Sequence, residues 1–307
     1  MPAPPLSRRR LGRPVSSRAA DGVVKRLISI SGLIAIIILA AIGIFLGLNA
    51  LRALTEVGFF TMLAGREWYP TIAEPRFGFI PLLAGSAAVT LTALFLSVPV
   101  SIAAALFISE FADRRIKEVA KSIIEFMAAV PSVVYGLVGI AIVVPWVKET
   151  FNLDSGLGAL SAAIVLAFMI APTIVSISED ALHAVPDDLR QGSLALGNTR
   201  WQTAYKVVLP SASSGILAAV MLGMGRAIGE TMAVLMLTGN APRIPGSLFD
   251  SVRTITGTIA AEMGSVVQGG LHQSVLFGLG LVLFAITLAI NLVADLVLER
   301  QRKRWRR

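Results

Sequence analysis

Residues 179–210 read Glu-Asp-Ala-Leu-His-Ala-Val-Pro-Asp-Asp-Leu-Arg-Gln-Gly-Ser-Leu-Ala-Leu-Gly-Asn-Thr-Arg-Trp-Gln-Thr-Ala-Tyr-Lys-Val-Val-Leu-Pro, the one long polar interruption in the apolar second half of the chain. Pro186 and Asp187 mark a helix start, and Gly197 with Asn198 a helix stop. Trp201, Ala204, Tyr205 and Val208 then recur at i, i+3, i+4 and i+7, one apolar stripe on an otherwise polar second helix. Leu209 and Pro210 are expected to end that helix, because proline cannot donate to the preceding turn. Apolar runs long enough to cross a bilayer flank the segment on both sides. A structureless loop of 32 residues would be unusual. A compact hairpin of two short helices fits instead, either lying on the membrane surface or serving as a recognition surface.

The rest of the composition agrees with a membrane setting. The chain has 307 residues, 55% hydrophobic and 15% charged, and a mean hydropathy of +0.76. That leaves too little polar surface for a soluble globule of this size, so the expected fold is all-α and polytopic. The net charge of +8 does not point to nucleic acid, because the basic residues are concentrated in segments between and beyond the apolar runs. With no cysteine, a disulfide framework, a thiol nucleophile and an iron–sulfur centre are excluded. His183 and His272 stand apart in sequence and suggest no metal site, and no cofactor is implied.

Six spans are expected, at about residues 27–48, 80–109, 122–147, 160–178, 211–237 and 274–297. Residues 1–26 read as a basic disordered tail, 27–79 as the first span and an external loop rich in aromatic residues and proline, 80–298 as the core, and 299–307 as a second basic tail. The first span is too long for a signal-peptide core and lacks a suitable cleavage site, so it is expected to stay uncleaved. Pro99 is expected to kink the second span and Pro172 to break the fourth. Residues 110–121 read as a charged turn. With this threading, the segments on the side of the two tails hold 20 Lys and Arg and the opposite loops hold 6. Such a bias places both termini and the hairpin in the cytoplasm, and two tails on one side require an even number of spans. No internal repeat is evident.

No lysine follows a glycine, so the chain has no phosphate-binding G-x-x-x-x-G-K-[ST] loop and cannot itself be the ATPase of a pump. Nucleophile-elbow and zincin motifs are also missing. Asp187 and Asp188 suit the start of a helix better than an acid–base site. The sharpest polar feature is Gly-Met-Gly-Arg-Ala-Ile-Gly-Glu-Thr-Met-Ala-Val, residues 223–234, inside the fifth span. A charge at bilayer depth costs at least about 2.5–3.5 kcal/mol on insertion scales. On a continuous helix Arg226 and Glu230 share a face and can pair, either as a scaffold or along a solute path. Gly225 and Gly229 form G-x-x-x-G, which suggests close approach of another helix.

The hairpin resembles the E-A-A-x-x-x-G-x9-I-x-L-P loop of ABC importer permeases. Gln191, Gly192 and Ser193 stand at the E-A-A positions, Gly197 at the glycine, Val207 at the isoleucine, and Leu209 and Pro210 at the closing pair. Gln191 departs from the pattern, since it lacks the charge of a glutamate. Four pieces in order narrow the resemblance to PstC-type permeases of phosphate importers: Pro-Ser-Val-Val-Tyr-Gly (131–136), Ala-Leu-Gly-Asn-Thr-Arg-Trp (195–201), Val-Val-Leu-Pro-Ser (207–211) and Gly-Arg-Ala-Ile-Gly-Glu-Thr-Met-Ala-Val (225–234). The likeness spans about residues 80–298.

That resemblance implies a bacterial plasma-membrane permease that couples through the hairpin to two cytoplasmic ATPase subunits. It also implies a PstA-like companion permease, an extracytoplasmic phosphate-binding protein and inorganic phosphate as the solute, with Arg226, Glu230 and Thr231 on the translocation path. A related oxyanion as solute, or a secondary anion transporter coupled to protons, are the alternatives. The hairpin speaks against the secondary transporter, which has no use for an ATPase seat.

Overall fold

The computed structural model describes residues 15–305, with side chains described for 22–299. It is almost entirely helical. Helix α1 (Val15–Ala53) runs through a π-turn (Leu54–Gly58) into α2 (Phe59–Ala64), and a small antiparallel pair, β1 (Trp68–Tyr69) with β2 (Arg76–Phe77), follows. Then come α3 (Ile80–Glu110), α4 (Arg114–Ala129), α5 (Ser132–Val138), a π-turn (Gly139–Val143) and α6 (Val144–Thr150). Next are α7 (Ala159–His183), α8 (Asp187–Ala195), α9 (Arg200–Thr203), a π-turn (Ala204–Val208), α10 (Leu209–Ser211), α11 (Ser213–Gly229), α12 (Met232–Leu237), α13 (Ile255–Glu262) and α14 (Leu271–Trp305).

Five helical stretches are long and apolar enough to cross a membrane, Gly22–Ala64, Ile80–Glu110, Ser132–Thr150, Ala159–His183 and Leu271–Glu299. The bent pair Arg200–Ser211 and Ser213–Gly229 passes the same test when its two arms are taken together, as one broken span.

The chain divides into two compact units, residues 1–48 and 49–307. The described part of the first is the helix α1 alone, whose apolar side chains from Val23 to Leu48 are largely exposed. In water such a helix would be unstable, whereas in lipid its backbone is self-satisfied and its side chains are solvated.

The second unit is built around α7. Ala162, Ala163, Leu166, Met169, Ile170 and Ile174 are buried against Val89 and Ala93 of α3, Ala219 and Ala227 of α11, and Val234 and Leu237 of α12. Lipid supplies no hydrophobic drive between spans, so small residues that let backbones approach closely carry the packing. Gly223 is such a place, with Ile174 so near that an added methyl group would collide. By contrast, Gly225 and Gly229 have open space beside them, so the expected G-x-x-x-G contact is not made among the described residues. A second cluster joins Trp68, Phe77 and Phe79 to Ile255, Leu276 and Leu279, and a third surrounds Leu182, Val185, Ala204 and Val208.

Several boundaries differ from the sequence expectation. Residues 15–26 are helical and continue into α1, while residues 1–14 lie outside the described part. The first helical stretch also runs on to Ala64 instead of ending in a loop at 49. Of the charged turn expected at 110–121 only 111–113 is non-helical, Arg114 opening the amphipathic helix α4, and the third span begins only after Val130 and Pro131. Proline biases the residue before it away from helix, which explains that break. Pro172 does not break α7, which carries the proline buried inside it and runs on to His183. Tight packing of the turns on either side holds the helix through the missing hydrogen bond.

Candidate coupling hairpin and translocation site

The hairpin has the expected two-helix form. Helix α8 begins after Pro186 with Asp187 and Asp188 in its first turn, where carboxylates suit the helix dipole. It closes at Gly197, whose φ of +86° is a left-handed conformation that glycine adopts without penalty. Thr199 and Gln202 then form a reciprocal cap that starts α9: Thr199 Oγ1 accepts from Gln202 N at 3.2 Å, and Gln202 Oε1 accepts from Thr199 N at 2.9 Å.

The second helix ends at Ser211, one residue past Leu209 and Pro210. The backbone widens into a π-turn before them, which accommodates the missing donor of Pro210, and the helix continues to Ser211 before bending by 69° into α11. The widening also splits the apolar stripe. Ala204 and Val208 are buried, while Trp201 and Tyr205 are exposed and stack on each other with centroids 6.3 Å apart.

The motif residues separate in the same way. Gln191 and Gly192 lie exposed on α8, Val207 and Leu209 are half-buried, and Pro210 is exposed. Ser193 is buried and ties the two helices together, its hydroxyl 2.9 Å from Thr203 Oγ1 and accepting from Asn198 Nδ2 at 3.1 Å. A serine at this position therefore works inside the hairpin, whereas Gln191 faces outward beside the exposed Leu194 and Leu196.

Two ionic connections that hold the hairpin and α4 to the spans were missed by sequence reasoning. Arg190 donates from Nη2 to Glu110 Oε1 at 3.0 Å and to the Leu182 carbonyl at 2.8 Å, and it also bonds the Val185 carbonyl and Asp187. One guanidinium thereby binds the ends of α3 and α7 to the start of α8. Glu179, buried near the end of α7, is met by Lys117 Nζ at 2.6 Å and Lys121 Nζ at 2.7 Å from α4. The hydrogen bond to Glu179, outweighing burial, raises the pKa of Lys121 above its ordinary value. The one available signal was the i, i+4 spacing of Lys117 and Lys121, which places both on one helix face.

In the fifth span the expected Arg226–Glu230 pair does not form. Helix α11 ends at Gly229, and Glu230 is extended, with φ −68° and ψ 132°, so i, i+4 geometry fails at that point. Glu230 Oε1 instead accepts from Ala233 N at 3.2 Å at the start of α12, and its carbonyl accepts from Thr256 Oγ1 at 2.7 Å. Thr231 Oγ1 donates to the Gly229 carbonyl at 3.2 Å. Glu230 and Thr231 thus form the break in the span.

Arg226 donates to Thr173 Oγ1 of α7 at 3.2 Å, and among the described residues it has no carboxylate at salt-bridge distance. Together with Met221, Leu222, Asn291 and Asp295 it lines a cleft of about 650 Å³ between α11 and α14. No His, Asp and Glu cluster able to hold a metal occurs among the described residues.

Among the described residues, five helical stretches able to cross a membrane and a bent sixth, joined by a two-helix hairpin, define a multi-pass membrane protein. Residues 97–307 match the model of the family described as binding-protein-dependent transport system inner membrane component, and the chain belongs to that family. It is 38% identical over 289 residues to the probable ABC transporter permease protein YqgH of Bacillus subtilis, covering 93% of this chain and 94% of that one. It is 33% identical over 299 residues to the phosphate transport system permease protein PstC of Mesorhizobium japonicum, covering 91% and 90%.

Among solved structures, a bacterial alginate ABC transporter in complex with its pentasaccharide-bound periplasmic protein superposes with a TM-score of 0.64 at 16% identity, covering 94% of this chain and 98% of that one. The MetNI methionine ABC transporter gives 0.55 at 20% identity, covering 72% and 95%. Those two establish the fold. The chain is a permease subunit of an ABC importer and not an enzyme itself, ATP hydrolysis residing in separate subunits.

Proposed function

We propose that this permease moves inorganic phosphate into the cell, with Arg226 as the cation that the anion meets within the membrane. The observation that carries the reading is the state of Arg226: a guanidinium inside a span, half-buried, held by a neutral hydroxyl, and lining a cleft. A charge so placed is costly unless it faces a polar path or a ligand. A multiply charged, strongly hydrated anion crossing hydrocarbon needs such a partner, and a planar fork of donors fits its oxygens. Glu230 and Thr231 belong to the same site as the residues that break the span next to the arginine. The likeness to the PstC proteins supports phosphate as the solute.

In this reading the chain sits in the bacterial plasma membrane with both termini cytoplasmic, as the distribution of Lys and Arg favours. A PstA-like second permease completes the pathway, two ATPase subunits seat on the hairpin, and an extracytoplasmic phosphate-binding protein delivers the anion. The exposed Leu189, Leu194, Leu196 and Trp201 support the hairpin as the ATPase seat, because a group of apolar side chains displayed on a polar hairpin fits a protein partner. The test is ATP-driven uptake by the reconstituted complex, with sulfate and arsenate as competitors. Preference for sulfate would assign a different oxyanion, and uptake without ATPase subunits would assign a secondary transporter.

A further inference from the structure

A second cleft lies at the bend between the hairpin and α11, apart from the cleft at Arg226, and it shares only Leu209 and Pro210 with the coupling motif. Its volume is about 730 Å³, and both arms of the 69° bend line it. One arm contributes Tyr205, Lys206 and Leu209, the other Ser213, Ile216, Leu217 and Val220, and Ile102 of α3 forms the facing wall. Lys206 is its one charged residue. That ammonium is exposed and has no carboxylate within ion-pair distance among the described residues.

The depth of each arm follows from the bend. With the apolar α11 taken as the arm that enters the membrane, the arm inclined at 69° to it lies near the membrane plane, at the level of the lipid headgroups. Tyrosine and lysine are the side chains that settle at that level, with apolar bodies inward and polar tips in water. The other arm descends into the hydrocarbon, and past Ser213 its lining is aliphatic. The cleft is therefore cationic and hydroxyl-bearing at one end and apolar at the other.

We infer that this cleft binds an anionic phospholipid, the headgroup phosphate on Lys206 with the hydroxyls of Tyr205 and Ser213 close by, and an acyl chain along Ile216, Leu217 and Val220. The match is one of charge and polarity: an anion at interface depth continuous with a hydrocarbon tail is the chemistry of a lipid, and a soluble anion would use only the upper end. A lipid seated there fills the angle between hairpin and span, so it stiffens the joint through which the hairpin moves α11.

The experiment uses the assembled transporter in nanodiscs of phosphatidylcholine alone or mixed with phosphatidylglycerol, read by native mass spectrometry and by ATP hydrolysis. The wild type should retain phosphatidylglycerol through purification and hydrolyse ATP several-fold faster in the mixed discs. Lys206→Glu should lose both effects yet keep its ATPase subunits, and Leu217→Trp, which fills the apolar end without altering charge, should lose lipid retention. Lys148→Glu, outside the cleft, should behave as the wild type. Retention of phosphatidylglycerol by Lys206→Glu overturns the inference. Loss of the ATPase subunits in that variant overturns it in favour of a protein contact, and restoration of the fast rate in phosphatidylcholine by added inorganic phosphate overturns it in favour of a soluble-anion site.

Discussion

The Arg190 guanidinium holds the Glu110 carboxylate at 3.0 Å across eighty residues of sequence, and by its other bonds fixes the end of α7 to the start of α8. Movement of the hairpin is therefore movement of two spans. Replacing Arg190 with Ala removes a charge-assisted bond between two mostly buried side chains, at a cost of roughly 2 kcal/mol. We expect the ATPase to remain bound while solute moved per ATP falls several-fold. Hydrogen exchange of residues 186–203 should rise in parallel, and unchanged exchange together with unchanged coupling would remove Arg190 from the linkage.

The turn at Gly197 gives a cleaner test, because space and backbone can be separated there. A Cβ added at this glycine would meet nothing within 4 Å, yet φ is +86°. Any loss on substitution therefore comes from the left-handed backbone alone, about 1–2 kcal/mol for an ordinary L-residue and less for asparagine. Gly197→Val should reduce ATPase assembly and uptake, and Gly197→Asn should stay close to the wild type. Equal behaviour of the two variants would show that the turn does not matter.

Much of the fold was legible in the sequence, and the places where it was not share a physical cause. Span number, the extent of α3 and the two helices of the hairpin follow from apolar run length and from the Pro186 and Gly197 punctuation, which are local signals. Pro172 misled because its effect depends on neighbours: packing carries α7 through it, whereas the helix at Pro210 stops one residue later, at Ser211. The pairing of Arg226 with Glu230 presumed an unbroken helix, and a break set by Glu230 and Thr231 leaves no periodic trace. Arg190 with Glu110, and Glu179 with its two lysines, join residues far apart in the chain, so only the fold brings them together.

The Glu179 clamp carries its own prediction. With the carboxylate 3% exposed and its lysines 26% and 44% exposed, the loss on removing Glu179 should fall below the 3–5 kcal/mol typical of a fully buried pair, near 2 kcal/mol. Glu179→Gln should release α4 from α7, and a cysteine cross-link between the two helices should form more slowly. The Lys117→Met, Lys121→Met double variant should be less stable than Glu179→Leu combined with both substitutions, because only the former leaves a buried carboxylate unpaired. Equal thermal stability of these two variants would mean that the clamp is incidental.

The proposed role of Arg226 rests on its separation from Glu230, and the two residues can be tested together. If they formed a scaffold pair, neutralising either would strand the other charge, and the double variant would recover much of the loss. The geometry instead has Arg226 bonded to Thr173 and Glu230 capping α12, so the effects should be independent. Glu230→Gln should cost about 1 kcal/mol of stability through the weakened cap. Arg226→Gln should assemble normally, since it removes a charge from the membrane, and should hydrolyse ATP when the binding protein docks, yet its phosphate uptake per assembled complex should fall at least tenfold. Arg226→Lys keeps the charge but loses the planar fork, so uptake intermediate between wild type and Arg226→Gln would assign the role to electrostatics, and none would assign it to bidentate geometry. In the double-variant cycle the coupling energy in stability should stay below about 0.5 kcal/mol, the level expected of residues without a shared contact. A larger coupling would restore the scaffold pair, and full uptake by a well-assembled Arg226→Gln would take the arginine off the path.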